Sequence, residues 1–149
     1  MDDAAEVTLR DASGSAVSAT VIHLDPQRDI ALLELDEPTE DWLRLATIVA
    51  GDQATVLVRN PDGSTSMTQA VVDRLVDVSI DGVGLRAGLE VDAALSPGRS
   101  GAPLVDVDGA MVGMAFAADR ESPRAWAIAT NEIEAALAQP TDGSISFSC

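Results

Sequence analysis

Ser96-Pro97-Gly98-Arg99-Ser100-Gly101-Ala102-Pro103-Leu104 sets a serine in a tight turn, with glycine on both sides and an apolar strand to follow. Glycine lets a backbone bend sharply and come close to a ligand. A serine hydroxyl is a poor nucleophile until a base takes its proton. Acyl transfer also needs donors for the oxyanion that develops on the attacked carbonyl. In such a turn the candidate donors are the N–H groups of Gly98 and Ser100. Ser100 is therefore the candidate nucleophile. The same composition also makes an ordinary surface loop, so the turn alone leaves both readings open.

Asp29 is the second candidate. It ends Asp25-Pro26-Gln27-Arg28-Asp29, directly before the apolar run Ile30-Ala31-Leu32-Leu33. An acid there often does no more than cap a strand edge. In a catalytic triad it would orient a histidine and stabilise the imidazolium. His23 is the only histidine. Strand alternation puts it on the Val21 face of the strand that leads into the aspartate loop. It is expected to be a packed or solvated strand residue rather than the general base. Asp106-Val107-Asp108-Gly109 lacks the further acidic ligands that a calcium loop needs at fixed offsets. A hairpin turn is expected there. No Cys/His constellation suggests zinc. No metal or cofactor is expected.

The elements that must position these residues read as strands. Glu6–Arg10 alternates, and Asp11-Ala12-Ser13-Gly14 is a turn signal. Ala16–Leu24 alternates and is β-branched. Ile30–Leu35 is nearly all apolar, as in a buried strand. Gln53–Arg59 and Met67–Val78 are strands separated by the turn Asn60-Pro61-Asp62-Gly63. Gly82–Val91 precedes the serine turn. Leu104-Val105 and Met111–Phe116 form a hairpin, and Ala125–Thr130 is the last strand. One helix is predicted over Glu132–Gln139. Asn131 is its expected N-cap, Glu134 completes a capping box, and Pro140 stops it. Short strands with frequent turns indicate an all-β barrel or sandwich.

The chain has 149 residues, room for one domain with a core. Hydrophobic residues are 46% but aromatics only 3%, so Val, Leu, Ile and Ala must build that core. The net charge is −16, with 9 basic residues, all arginine, against 25 acidic ones. Nothing in that balance could neutralise phosphates, so nucleic acid is excluded as a partner, as are anionic membrane surfaces. No apolar run is long enough to span a bilayer, and Met1-Asp2-Asp3 has the wrong charge for a signal peptide. Cys149, the single cysteine, closes the chain and has no partner within it.

Taken with their order, these segments resemble the trypsin-fold serine proteases of the HtrA type. Ala19-Thr20-Val21-Ile22 and Asp25-Pro26-Gln27-Arg28-Asp29-Ile30-Ala31-Leu32-Leu33 look like the strands and loop that carry that family's triad aspartate. Asp92-Ala93-Ala94 and Pro97-Gly98-Arg99-Ser100-Gly101-Ala102-Pro103-Leu104 look like its serine segment. Asp108-Gly109, Val112-Gly113, Trp126-Ala127-Ile128-Ala129-Thr130 and the closing helix follow in the family's order. The Asp-Pro-Gln-Arg-Asp loop, the helix and the near-terminal cysteine are most similar to its membrane-anchored periplasmic acid-resistance branch. The resemblance implies a double β-barrel, with residues 1–62 as a partial N-terminal barrel and 63–130 as the C-terminal one. A helix over 131–139 and a loose tail over 141–149 complete the division. It implies Ser100 as nucleophile, Asp29 as triad acid, and Gly98 and Ser100 as the oxyanion hole. Phe116, Ala117 and Ala118 would form the edge strand that pairs with substrate. Ala94 would sit near the base of a specificity pocket for small or apolar side chains.

Three positions depart from the family pattern. Ala102 replaces a second glycine. Ala125 replaces a glycine that opens the pocket, so a narrow pocket is expected. The family's histidine lies so far upstream of Asp29 that the corresponding position falls at or before Met1. The expectation is thus a trypsin-like endopeptidase domain lacking its general base, inactive as it stands. The alternative is a non-catalytic trypsin-like module that binds peptides or partners. The partner is expected to be a polypeptide substrate, the setting extracytoplasmic and the parent protein membrane-anchored. Cys149 is expected to bond to an upstream cysteine. An open barrel edge would favour self-association.

Overall fold

The computed structural model describes residues 6–139, apart from 12, 41, 81 and 97 and the side chain of 83. The tail over 141–149, Pro140 and Cys149 lie outside the described residues, and so do the readings made on them. Strands β1 (Glu6–Arg10), β2 (Ala16–Asp25) and β3 (Ile30–Leu35) form an antiparallel three-stranded sheet in chain order. Six further strands close a barrel. They are β4 (Gln53–Arg59), β5 (Thr65–Ile80), β6 (Val83–Asp92), β7 (Pro103–Val105), β8 (Met111–Ala118) and β9 (Arg124–Ala129). Their order around the barrel is β4-β5-β6-β9-β8-β7, and β7 pairs back onto β4 through Thr55 and Val105. Helix α1 (Thr130–Leu137) leaves β9 without an intervening loop. This is the trypsin-like architecture expected, with a closed second barrel and, among the described residues, an open sheet where the first would be.

Alternation of burial makes the barrel. In β4, Ala54, Val56 and Val58 face inward between exposed or half-exposed neighbours. With so few aromatics, the interior is filled by small branched side chains. Val56, Val72, Leu89, Val91, Leu104 and Val112 are all fully buried there. A second cluster of Ile30, Val78, Ile80, Ile128 and Ala136, with Leu32, Phe116, Trp126 and Ile133 packed against it, ties β3 to the barrel and to α1. Burying a side chain such as Ile30 there is worth roughly 1.5–3 kcal/mol. This cluster is what brings the aspartate loop, just before Ile30, to the barrel that carries Ser100.

Three expectations need correction. The division at residue 62 groups β4 with the first strands, but β4 is a wall of the closed barrel. Asn60–Ser64 is a hairpin turn joining β4 to β5, with the Gly63 N–H donating to the Asn60 carbonyl at 2.9 Å. The helix begins at Thr130, with Ala129 as its N-cap, and no side chain caps it. The strand feeds straight into the first turn, so Asn131 lies inside the helix. The Thr130 hydroxyl instead donates to the Ala46 carbonyl at 2.9 Å. Finally, a register shift between Val21 and His23 breaks the alternation that would set those two on one face. The hairpin turn read at Asp106–Gly109 is present: the Asp106 carboxylate accepts from the N–H groups of Asp108 and Ala110 at 2.9 and 2.8 Å.

Candidate active site

Ser100 lies in the loop between β6 and β7, exposed to solvent. Gly98 and Gly101 flank it at φ +85° and +86°, a region in which a Cβ is strained. The loop is pinned to β8 beyond the serine. The Gly101 N–H donates to the Ala115 carbonyl at 2.7 Å, and the Ala115 N–H donates to the Ala102 carbonyl at 2.9 Å. Ala102, where the family pattern has glycine, is buried and packs in the barrel core.

The Ser100 hydroxyl donates to the Phe116 carbonyl at 3.1 Å. Phe116 is free to accept because β8 carries a register shift between Ala115 and Ala117. Bulges of this kind re-aim groups next to sites. Among the described residues no acceptor takes the N–H of Gly98 or of Ser100. Two unengaged donors thus flank the hydroxyl. Past Met114, β8 also outruns β7, so Phe116–Ala118 pairs with β9 on one side only. An extended peptide can add to such an edge through its own backbone.

These groups border one cavity of about 830 Å³. Ala94, Gly98, Ser100, Phe116, Ala117 and Ala118 all line it. Every site residue proposed from sequence is therefore gathered there except Asp29. Ala94 is exposed at the wall. Ala125 is wholly buried in the barrel core and is not a lining residue, because alternation along β9 turns it inward. The far rim is polar. There Asp119 holds its own turn by accepting from the Glu121 N–H at 2.9 Å and the Ser122 hydroxyl at 2.7 Å. These bonds hold its carboxyl below the usual aspartate range.

Asp29 sits at φ +55°, the one non-glycine residue at positive φ among those described. Its carboxylate is exposed and makes no hydrogen bond or ion pair with the described residues. The loop around it is tightly held. Asp25, not Asp29, is the buried acid. It accepts from the N–H groups of Gln27 and Arg28 at 3.1 Å each and pairs with Arg28 Nη1 at 2.7 Å. Arg28 Nε reaches Glu132 Oε2 of α1 at 2.8 Å, and the other Glu132 oxygen accepts from the Ala87 N–H of β6 at 3.0 Å. The Asp25 hydrogen bond, with support from Glu132 and against desolvation, raises the Arg28 guanidinium above its ordinary value. Arg86 donates to the Gln27 side-chain oxygen at 2.6 Å.

Sequence reasoning missed this bridge. Arg28 and Glu132 are 104 positions apart, and no spacing rule joins them. Arg99 Nη1 likewise contacts the Asn60 amide oxygen at 3.4 Å, tying the serine loop to the β4–β5 turn. His23 is half-buried on β2. It neither lines the cavity nor bonds to Ser100.

The protein family described as the Trypsin-like peptidase domain matches residues 1–114. A probable periplasmic serine endoprotease, DegP-like, of Chlamydia pneumoniae is 31% identical over 112 residues, covering 72% of this chain and 22% of the relative. The chain spans about a fifth to a quarter of the length of the curated relatives it matches. The active form of the Rv3671c protease of M. tuberculosis superposes with a TM-score of 0.82 at 23% identity, over 97% of this chain and 66% of that one. The inactive form of the Rv3671c protease superposes with a TM-score of 0.72 at 26% identity, over 84% and 67%.

Proposed function

This chain belongs to the trypsin-like peptidase family, and from that premise we propose that it is the Ser/Asp-bearing part of a serine endopeptidase acting on polypeptides. Ser100 Oγ attacks the scissile carbonyl. A histidine from outside this chain takes its proton and later gives it to the leaving amine. Asp29 holds that histidine in the right tautomer, and the N–H groups of Gly98 and Ser100 bind the oxyanion. The substrate pairs with the free side of Phe116–Ala118, and the uncharged Ala94 wall selects small or apolar side chains.

One observation carries this reading: an exposed serine hydroxyl, two unengaged N–H groups beside it and an open strand edge meet at a single cavity. The same observation supports an expectation for the isolated chain. The Ser100 hydroxyl donates a hydrogen bond to a backbone carbonyl, which is no general base. The chain alone is therefore expected to be inactive. Losing a triad member costs on the order of 10⁴–10⁶ in rate.

The test is labelling of Ser100 by a fluorophosphonate, together with cleavage of an unstructured protein. Both are run on this chain and on the chain extended upstream through a histidine segment. The extended form labels and cleaves, Ser100→Ala abolishes both, and Asp29→Asn lowers the rate by about 10⁴. Cleavage indifferent to Ser100→Ala refutes the assignment.

The lack of a base at Ser100 also favours a second reading, a non-catalytic module that binds peptides along β8. Peptide binding by an extended form that never labels would establish it. The relative's name places it in the periplasm. We propose the same extracytoplasmic setting here, with a membrane anchor in the parent protein and a disulfide from Cys149 to an upstream cysteine. The outer edges of β1 and β3 carry no paired strand among the described residues. Self-association through them, measured by light scattering, follows.

A further inference from the structure

The strained aspartate turn is held from three sides, and only one of them is a strand pair. Asp29 adopts φ +55°. A non-glycine residue keeps such a conformation when its surroundings over-determine it. On its C-terminal side, Ile30 is buried and paired with Asp25 across β2 and β3. On its N-terminal side, the Arg28 N–H is bound to Asp25 at both the carbonyl and the carboxylate. The Arg28 side chain then crosses to the second barrel and meets Glu132, whose other oxygen is fixed by the Ala87 N–H. The three charged side chains are 19%, 7% and 14% exposed for Arg28, Asp25 and Glu132. They form a mostly dry bridge in which Arg28 is the one cation among the described residues. Without Arg28, two carboxylates stay behind with nothing between them.

We infer that Arg28 is a positioning residue: through the Asp25–Arg28–Glu132 bridge it fixes the Asp29 turn against the serine-bearing barrel, and so sets where the Asp29 carboxylate meets the general base. This rests on the reading of Asp29 as the triad acid. The geometry favours a guanidinium. Nη1 serves Asp25 while Nε serves Glu132, a fork that a lysine cannot span. A displacement of about 1 Å in a catalytic group costs on the order of 100-fold.

The experiment uses Arg28→Met, Arg28→Lys and Glu132→Gln, with two readouts. In this chain, amide hydrogen exchange is followed at Arg28–Ile30, with Val56 and Leu104 as barrel references. In the chain extended through the histidine segment, kcat, KM and the pH profile are measured. Arg28→Met is expected to speed exchange at the turn about tenfold or more with the barrel unchanged. It is expected to lower kcat about 10–100-fold, with KM within about threefold. The acid limb of kcat moves to lower pH, because a histidine less well met by Asp29 holds its proton less tightly. Glu132→Gln gives a smaller effect in the same direction, and Arg28→Lys does not rescue. A merely structural role would move neither the pH limb nor the split between kcat and KM.

Arg28→Met and Glu132→Gln with kcat within twofold of the parent overturn the inference while the protease reading stands. So does a loss of activity that only tracks the fraction unfolded. A parent that cleaves nothing overturns the protease reading. Faster exchange at the turn then still upholds the bridge as its clamp, and unchanged exchange rejects that as well.

Discussion

Gly88 on β6 offers a sharp test of the packing that joins the aspartate loop to the barrel. A Cβ added there would lie 2.9 and 3.0 Å from the two methyls of Val78 and 3.0 Å from the Ala127 carbonyl oxygen. Both Val78 methyls straddle the new atom, so any rotation of Val78 replaces one methyl by the other and still leaves a clash. Overpacking of this kind costs about 1–3 kcal/mol. Replacing a strand glycine by alanine returns roughly 0.5–1 kcal/mol through lost unfolded-state entropy. Overpacking wins, and Gly88→Ala is expected to destabilise by about 1–2 kcal/mol. Val78→Ala alone removes two buried methyls, costing about 2 kcal/mol with its cavity. In Gly88→Ala/Val78→Ala the methyl clash is gone and the carbonyl contact remains. The double variant should therefore be about 1 kcal/mol more stable than the sum of the singles. The assay is urea unfolding followed by tryptophan fluorescence, since Trp126 packs against the same cluster while Trp42 is exposed. A Gly88→Ala protein as stable as the parent, or strict additivity in the cycle, refutes the reasoning.

Asn131→Ala should change stability by less than about 0.5 kcal/mol, where a true N-cap would lose about 1, and the same urea titration separates the two. Asp106→Ala removes the acceptor of two turn N–H groups and should cost about 1–2 kcal/mol. Glu90 is buried on β6 beside Arg74 and Arg124 at 2.9 and 3.4 Å. The Arg74 hydrogen bond, outweighing desolvation, holds its carboxyl below the ordinary value of 4.5. Because its folded pKa is depressed, its contribution is complete above that value and is lost as pH falls through the folded one. Thermal unfolding should thus show an acid limb below about pH 4.5 that is shallower in Glu90→Gln, which is also less stable at pH 7. An unchanged limb in that variant contradicts the assignment.

Much of the scaffold was legible because strands announce themselves by alternation. Glu6–Arg10, Ile30–Leu35 and Gln53–Arg59 stand where the pattern put them, and the others differ by one or two residues at their ends. The turn around Ser100 was legible too, since glycine and proline at fixed places carry local geometry, whereas Phe116–Ala118 came only from the family resemblance. What alternation could not say is which strands share a sheet. Pairing is a long-range choice, so β4 passed as part of the first unit until its bonds to β5 and β7 placed it in the barrel. The helix start was misread for a related reason. An N-cap preference is worth about 1 kcal/mol and gives way when a strand enters the helix directly. Only the tertiary structure decided that Ala125 points into the core, that Phe116 turns its carbonyl to Ser100, and that Asp25 rather than Asp29 is buried. The Arg28–Glu132 bridge lies furthest from sequence reasoning. Its two ends meet because the Ile30 cluster packs β3 against α1, and no local rule reaches across 104 residues.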